Sequence, residues 1–71
     1  MNKKEIKDEF LRLLGNMTHF DEQDEVIQEI ATSAGEFFYG KIEGYLSPDE
    51  VREFFIDAYT KMGRPKLKRR R

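Results

Sequence analysis

The segment that most constrains the fold is residues 47–65, SPDEVREFFIDAYTKMGRP. Ser47, followed by Pro48 and then by Glu50, has the pattern of a capping box, in which both side chains satisfy free N–H groups at a helix start. Apolar residues follow at the three- and four-residue intervals of one helical face: Val51, Phe54, Phe55, Ala58, Tyr59 and Met62. Gly63 can adopt the left-handed conformation beyond the helix, and Pro65 prevents its continuation. The segment predicts an amphipathic helix over residues 48–62.

A second amphipathic pattern lies at the N-terminus. Asn2, with Glu5 three residues later, indicates another capped helix start. Its buried stripe consists of Ile6, Phe10, Leu13 and Leu14. The pair Gly15 and Asn16 indicates where this helix stops. We expect a helix over residues 3–14.

The middle segment allows two interpretations. Asp21 or Thr18 can cap a helix start, and the acidic residues that follow suit the positive end of the helix dipole. Apolar residues then keep a 3.6-residue period: Ile27, Ala31, Ala34, Phe38, Ile42 and Tyr45. This unbroken phase predicts one helix over about residues 22–44, bent near Gly35. The run SAGE at residues 33–36 could instead cap a fresh helix.

Together these patterns predict an all-α fold: a small three-helix bundle in residues 1–62 and a flexible basic tail in residues 63–71. No alternating apolar run and no hairpin turn indicates a strand. Seventy-one residues are enough for one domain with a marginal core. Ala31, Ala34 and Gly35 leave space on the middle helix, which we expect bulky Phe54 or Phe55 to fill.

Composition narrows the classes of function. With no Cys and a single His, His19, the chain offers neither thiol chemistry nor the ligands of a zinc site. The acidic run of residues 21–25 lacks the central Gly of a calcium loop, and no phosphate-binding glycine motif occurs. We therefore expect no catalytic activity, metal or cofactor. No stretch approaches the ~20 apolar residues of a membrane span, and we expect a cytoplasmic protein without a signal peptide or membrane contact.

Charge is divided unevenly along the chain. Residues 1–60 carry six Lys/Arg and fourteen Asp/Glu (6 − 14 = −8), whereas residues 61–71 carry seven Lys/Arg and no acid (+7). Such a tail predicts binding to a polyanion, because clustered cations neutralise phosphates. DNA, structured RNA or an acidic protein surface could each be the polyanion that this tail binds. Alternatively, the tail needs no partner, because it is solvated or folds back onto the acidic residues of its own chain. The candidate nucleic-acid-binding residues are Lys61, Gly63, Arg64, Pro65, Lys66, Lys68, Arg69, Arg70 and Arg71.

Within the tail, Gly63-Arg64-Pro65-Lys66 resembles the core of the AT-hook, a short DNA-binding motif centred on Gly-Arg-Pro. The resemblance is confined to these residues and their basic neighbours. It implies that Arg64 enters a narrow A·T minor groove, while Gly63 and Pro65 shape an extended backbone that fits the groove. The flanking cations would then hold phosphates.

The middle segment offers a second candidate surface, which is acidic: Asp21, Glu22, Asp24, Glu25, Glu29, Glu36 and Glu43. Small phage-encoded inhibitors and nucleic-acid mimics use such negative surfaces against cationic grooves. Ile56 falls off the apolar stripe of its helix and could contact a partner protein or the second copy in a homodimer. We therefore predict a nucleic-acid-associated accessory protein, in the style of phage or mobile-element proteins. The alternative is an acidic interaction or inhibitor protein in which the tail is secondary.

Overall fold

A computed structural model describes residues 2–41 and 46–63 of the chain. It contains α1 (Lys3–Met17), α2 (Glu25–Tyr39) and α3 (Pro48–Met62), and no strand occurs in those two ranges. The predicted all-α three-helix bundle is confirmed. α1 and α2 form the most extensive helix pair, and α3 packs against both.

The N-terminus of α1 has the predicted capping box. The Asn2 side chain accepts a hydrogen bond from the Glu5 backbone N–H at 2.8 Å, and the Glu5 carboxylate accepts one from the Asn2 N–H at 3.0 Å. These two bonds satisfy donors that the first helical turn leaves without partners.

The predicted capping box of α3 is wrong. Ser47 occupies the N-cap position with Pro48 behind it, but its side chain makes no capping hydrogen bond. The Glu50 carboxylate instead pairs with the Lys41 amine, beyond the end of α2. The Glu50 carboxylate thus binds Lys41, which lies nine residues earlier in the chain. The local sequence pattern around Ser47 therefore does not determine the partner of Glu50.

Neither end of α2 lies where the sequence placed it. Asp24 is the N-cap, and its carboxylate accepts from the N–H groups of Val26 (2.8 Å) and Ile27 (3.4 Å). Asp21, one of the two predicted caps, instead accepts from Gln23 N–H at 2.9 Å in the preceding turn. The helix thus starts at residue 25, because the residue just before it provides the capping oxygen.

At its other end, α2 runs without a break through Gly35 and ends at Tyr39, where residue 44 was expected. Gly40 caps it with right-handed backbone angles (φ −75°, ψ −7°). No fresh helix begins at residues 33–36. The predicted apolar residues Ile42 and Tyr45 lie outside the described residues.

Gly15 and Asn16 do not end α1, which continues to Met17. Thr18 is the C-cap, and its N–H donates to the Leu14 carbonyl at 3.0 Å. The ring of Phe20 lies 3.4 Å from the position that a Cβ on Gly15 would occupy, and Phe20 is only 3% exposed. The last turn of α1 is therefore covered by Phe20, a core residue that helical periodicity could not detect because it lies outside every helix.

The core contains only apolar side chains among the described residues. Its members are Ile6, Phe10, Leu14, Phe20, Ile27, Ile30, Ala31, Ala34, Phe38, Leu46, Val51, Phe55 and Ala58. Half-buried Phe54 connects the three helices, because its ring centroid lies 5.9 Å from that of Phe10 and 5.7 Å from that of Phe38. Met62 was expected in this stripe but is 39% exposed, since α3 ends there at the edge of the bundle.

Gly35 is buried against the backbone of α1. The prediction that Phe54 or Phe55 fills the space beside it is therefore wrong at this position. A Cβ at this position would lie 2.9 Å from the Lys3 carbonyl oxygen and 3.8 Å from the Lys7 Cβ. Real Cβ atoms essentially never approach backbone oxygen this closely. The N-terminal turn of α1 therefore packs directly against α2 at residue 35, where α2 has no side chain.

We expect Gly35→Ala to destabilise the protein and Gly15→Ala to stabilise it, although both glycines lie inside helices. Alanine usually gains up to about 1 kcal/mol in a helix interior, and Gly15 has room for it. At Gly35 the clash with α1 should outweigh this gain and lower the free energy of unfolding by about 1–2 kcal/mol. Urea unfolding followed by circular dichroism measures both changes. Equal stabilisation by the two substitutions would contradict the close packing.

The two helix caps give a second prediction. Asn2→Ala should lower the free energy of unfolding by about 1 kcal/mol, because it removes the capping oxygen. Ser47→Ala should change it by less than about 0.5 kcal/mol, because the Ser47 side chain makes no capping bond. The same urea experiment compares them. A cost at Ser47 as large as that at Asn2 would show that Ser47 caps α3 in solution.

Candidate functional site

Three carboxylates share one exposed side of α2. Glu25, Glu29 and Glu36 are all exposed, and their spacings of four and seven residues correspond to about one and two helical turns. We call these three residues the acidic face. It is a negative strip on the outside of the bundle, with Thr32 between Glu29 and Glu36, and it includes three of the seven acidic residues that the sequence singled out.

The other predicted acidic residues are not part of this face. Asp21 and Asp24 bind backbone N–H groups before and at the start of α2 and therefore have structural roles. Glu22 is exposed in the same turn, where its backbone carbonyl accepts a hydrogen bond from the Gln28 side chain. Glu43 lies outside the described residues. The structure thus separates acids that build the helix start from acids that α2 presents to solvent.

An open groove lies between the acidic face and the end of α3. Its volume is about 420 Å³, and its described lining is Gln28, Glu29, Thr32, Ser33, Glu36 and Met62. We call it the α2–α3 groove. Met62 is the last residue of α3, so the groove lies where the chain leaves the bundle towards residues 64–71.

Lysines border the opposite side of the acidic face. Lys3, Lys4 and Lys7 from α1 line a second groove of about 360 Å³ with Thr32 and Glu36. The Lys3 amine also lies 5.6 Å from the centroid of the Tyr39 ring, within range of a cation–π interaction. Glu36 therefore faces cations from α1, whereas the described lining of the α2–α3 groove includes two carboxylates and no Lys or Arg.

Of the predicted nucleic-acid-binding residues, the structure describes Lys61 and Gly63. The Lys61 amine lies 3.0 Å from the Asp57 carboxylate one turn earlier, and its side chain is 73% exposed. Gly63 has φ +90°, the positive value that favours glycine, with ψ 172°. The remaining candidates lie outside the described residues: Arg64, Pro65, Lys66, Lys68, Arg69, Arg70 and Arg71. The AT-hook resemblance therefore stays a prediction.

Exposed apolar side chains occur on two helices. Ile56 on α3 is 57% exposed, as its position off the apolar stripe led us to expect, and its role as a partner contact stays a prediction. Phe37 on α2 is 54% exposed and was not singled out from the sequence. Its ring lies 5.2 Å from that of Phe54, and the Lys41 amine lies 5.4 Å from its centroid. Phe37 is thus partly covered by its own neighbours.

A further ion pair lies within α1. The Arg12 guanidinium donates hydrogen bonds to the Glu9 carboxylate on α1, which lowers the pKa of Glu9 and raises that of Arg12. His19 is exposed.

Across residues 2–41 and 46–63, no group of three or more His, Cys, Asp or Glu is arranged to hold a metal ion. Within the same residues, none of the helices is long and apolar enough to cross a membrane.

Comparison with protein-family models, curated proteins and solved structures found no match to this chain.

Proposed function

We propose that this chain is a small nucleic-acid-associated accessory protein and not an enzyme, and that its basic tail contacts phosphate while its helical bundle docks on a partner protein. The observation that carries the proposal is the charge division, −8 in residues 1–60 against +7 in residues 61–71. The end of α3 at Met62 supports it, because all but the first of those seven cations follow the last helical residue.

The acidic bundle and the basic tail would bind different kinds of partner. The acidic bundle repels a polyanion, so phosphate would approach the protein through the tail. If about five tail cations neutralised phosphates, a fourfold rise in salt would reduce the affinity ~100- to 1000-fold. Such a tail is a sequence-independent anchor. Partner choice would then come from the bundle, where Ile56 and the acidic face are the candidate contacts.

A second candidate is an acidic interaction or inhibitor protein whose tail is secondary. The arrangement of Glu25, Glu29 and Glu36 on one exposed side of α2 favours it, because a negative strip complements a cationic groove on a partner. The two candidates differ in what they bind. The first requires affinity for DNA or RNA at low salt, and the second requires a cationic protein groove.

Two matched full-length variants test the first candidate. R69Q/R70Q/R71Q removes three tail cations, and K3Q/K4Q/K7Q removes three from the bundle. We expect the tail variant to reduce the slope of log affinity against log salt by about 2.7 on duplex DNA, at 0.9 per lost phosphate contact. The bundle variant should leave the slope nearly unchanged. Fluorescence anisotropy with a labelled duplex at several salt concentrations measures both.

Equal loss in the two variants would mean that net charge matters and the tail does not. If the unmodified chain binds neither DNA nor RNA at low salt, the nucleic-acid proposal is wrong and the acidic interaction protein replaces it. Circular dichroism of each variant checks that the helices are intact.

The AT-hook resemblance gives a separate prediction about base composition. Arg64→Ala should weaken binding to an A·T-rich duplex more than Arg70→Ala does, by about 1–3 kcal/mol, because Arg64 would occupy the narrow minor groove. On a G·C-rich duplex the two losses should be similar. Similar losses on both duplexes would reduce the tail to plain phosphate binding.

A further inference from the structure

We propose that the α2–α3 groove and the acidic face bind the chain's own tail, residues 64–71, when no polyanion is present. Nucleic acid would then have to displace an intramolecular contact before the tail could bind it. This inference rests on the proposed function, because both use the same cations. It adds an autoinhibitory contact that would lower the apparent affinity of the free protein.

The position of Met62 places the start of the tail beside the α2–α3 groove. Met62 lines the groove together with Glu29 and Glu36, and residues 64–71 follow only one residue later. The tail therefore begins at the edge of the surface that it would bind. A binding segment tethered this closely experiences a high effective concentration, in the millimolar range for short flexible links. Even weak contacts can then be populated.

The length of the tail also fits. Glu25 and Glu36 are eleven residues apart on α2, a distance of about 16 Å along the helix axis. Eight extended residues span up to about 26–29 Å. From a starting point beside Met62, the segment 64–71 is therefore long enough to reach each carboxylate of the acidic face.

Charge complementarity indicates which side of α2 is used. Residues 64–71 carry six cations, and the acidic face carries three carboxylates. On the α1 side Glu36 already faces Lys3, Lys4 and Lys7, which would repel the tail. The α2–α3 side presents Glu29 and Glu36 with no Lys or Arg in its described lining.

The contact should be reversible. Each ion pair at an exposed surface changes an equilibrium by at most about fivefold, and salt screens it beyond ~8 Å at physiological ionic strength. A nucleic acid, with one charge per ~1.7 Å of duplex, presents far denser negative charge than three carboxylates. It would therefore displace the tail from the bundle.

Two full-length double variants with the same change of charge test the proposal. E29Q/E36Q neutralises the groove, whereas D8N/E53Q neutralises exposed acids on α1 and α3. At low salt we expect E29Q/E36Q to bind duplex DNA about twofold to twenty-fivefold more tightly than D8N/E53Q, the range that two surface pairs supply. The difference should shrink as salt rises, because the internal contact is itself screened. Equal affinities at low salt would overturn the proposal.

An NMR experiment gives a readout without nucleic acid. Amide shifts of Glu29, Thr32 and Glu36 should differ between the unmodified chain and R69Q/R70Q/R71Q at low salt, and should converge at high salt. Unchanged α2 shifts would overturn the internal contact. If the unmodified chain fails to bind nucleic acid, the proposed function fails, and this comparison still decides whether the tail lies on α2.

Discussion

The approach of the α1 backbone to Gly35 sets how closely α1 and α2 pack, and these two helices make the most extensive contact in the bundle. A Cβ at residue 35 would lie 2.9 Å from the Lys3 carbonyl oxygen, so only glycine permits this approach. The large rings lie elsewhere in the core, where Phe10, Phe38 and Phe54 bring all three helices together. The contact is made by backbone atoms, which cannot move aside as a flexible side chain can. The hydrogen atom that glycine carries in place of a methyl group thus permits the close approach of α1 and α2 at this point.

The close approach of α1 to α2 also determines where the lysines of α1 lie. Bringing the first turn of α1 onto α2 puts Lys3, Lys4 and Lys7 beside Glu36, which partly compensates one side of the acidic face. The other side borders Met62 at the end of α3. Among the described residues, lysines therefore border this negative strip on its α1 side only, and the chain continues towards its cationic residues from the other side. This asymmetry follows from packing and is not visible in the linear sequence, where the acids of α2 all look alike.

Local signals predicted the helices well, and contacts between distant residues account for the differences. At Asn2 the capping box forms as its spacing predicts, whereas at Ser47, with the same spacing, the side chain makes no capping bond and Glu50 pairs with Lys41. Gly15 looked like a stop, yet Phe20 packs over it and α1 continues. The acidic face was within reach of sequence reasoning, since its spacing is helical. The α2–α3 groove was not, because it requires knowing that the end of α3 lies beside the middle of α2. The tail candidates rest on composition alone.

A tail that chooses between phosphate and its own bundle would respond to salt in two opposing ways. Salt weakens each phosphate contact, because each counterion released from the nucleic acid gains less entropy in a more concentrated solution. It also weakens the competing internal contact, which frees more of the tail for binding. The measured slope would therefore be shallower than the number of phosphate contacts implies, and a small slope would not by itself mean few contacts. Removing Glu29 and Glu36 charge would eliminate the second effect and steepen the slope, even though the phosphate-binding residues are unchanged. Salt dependence thus carries information about the bundle as well as about the tail.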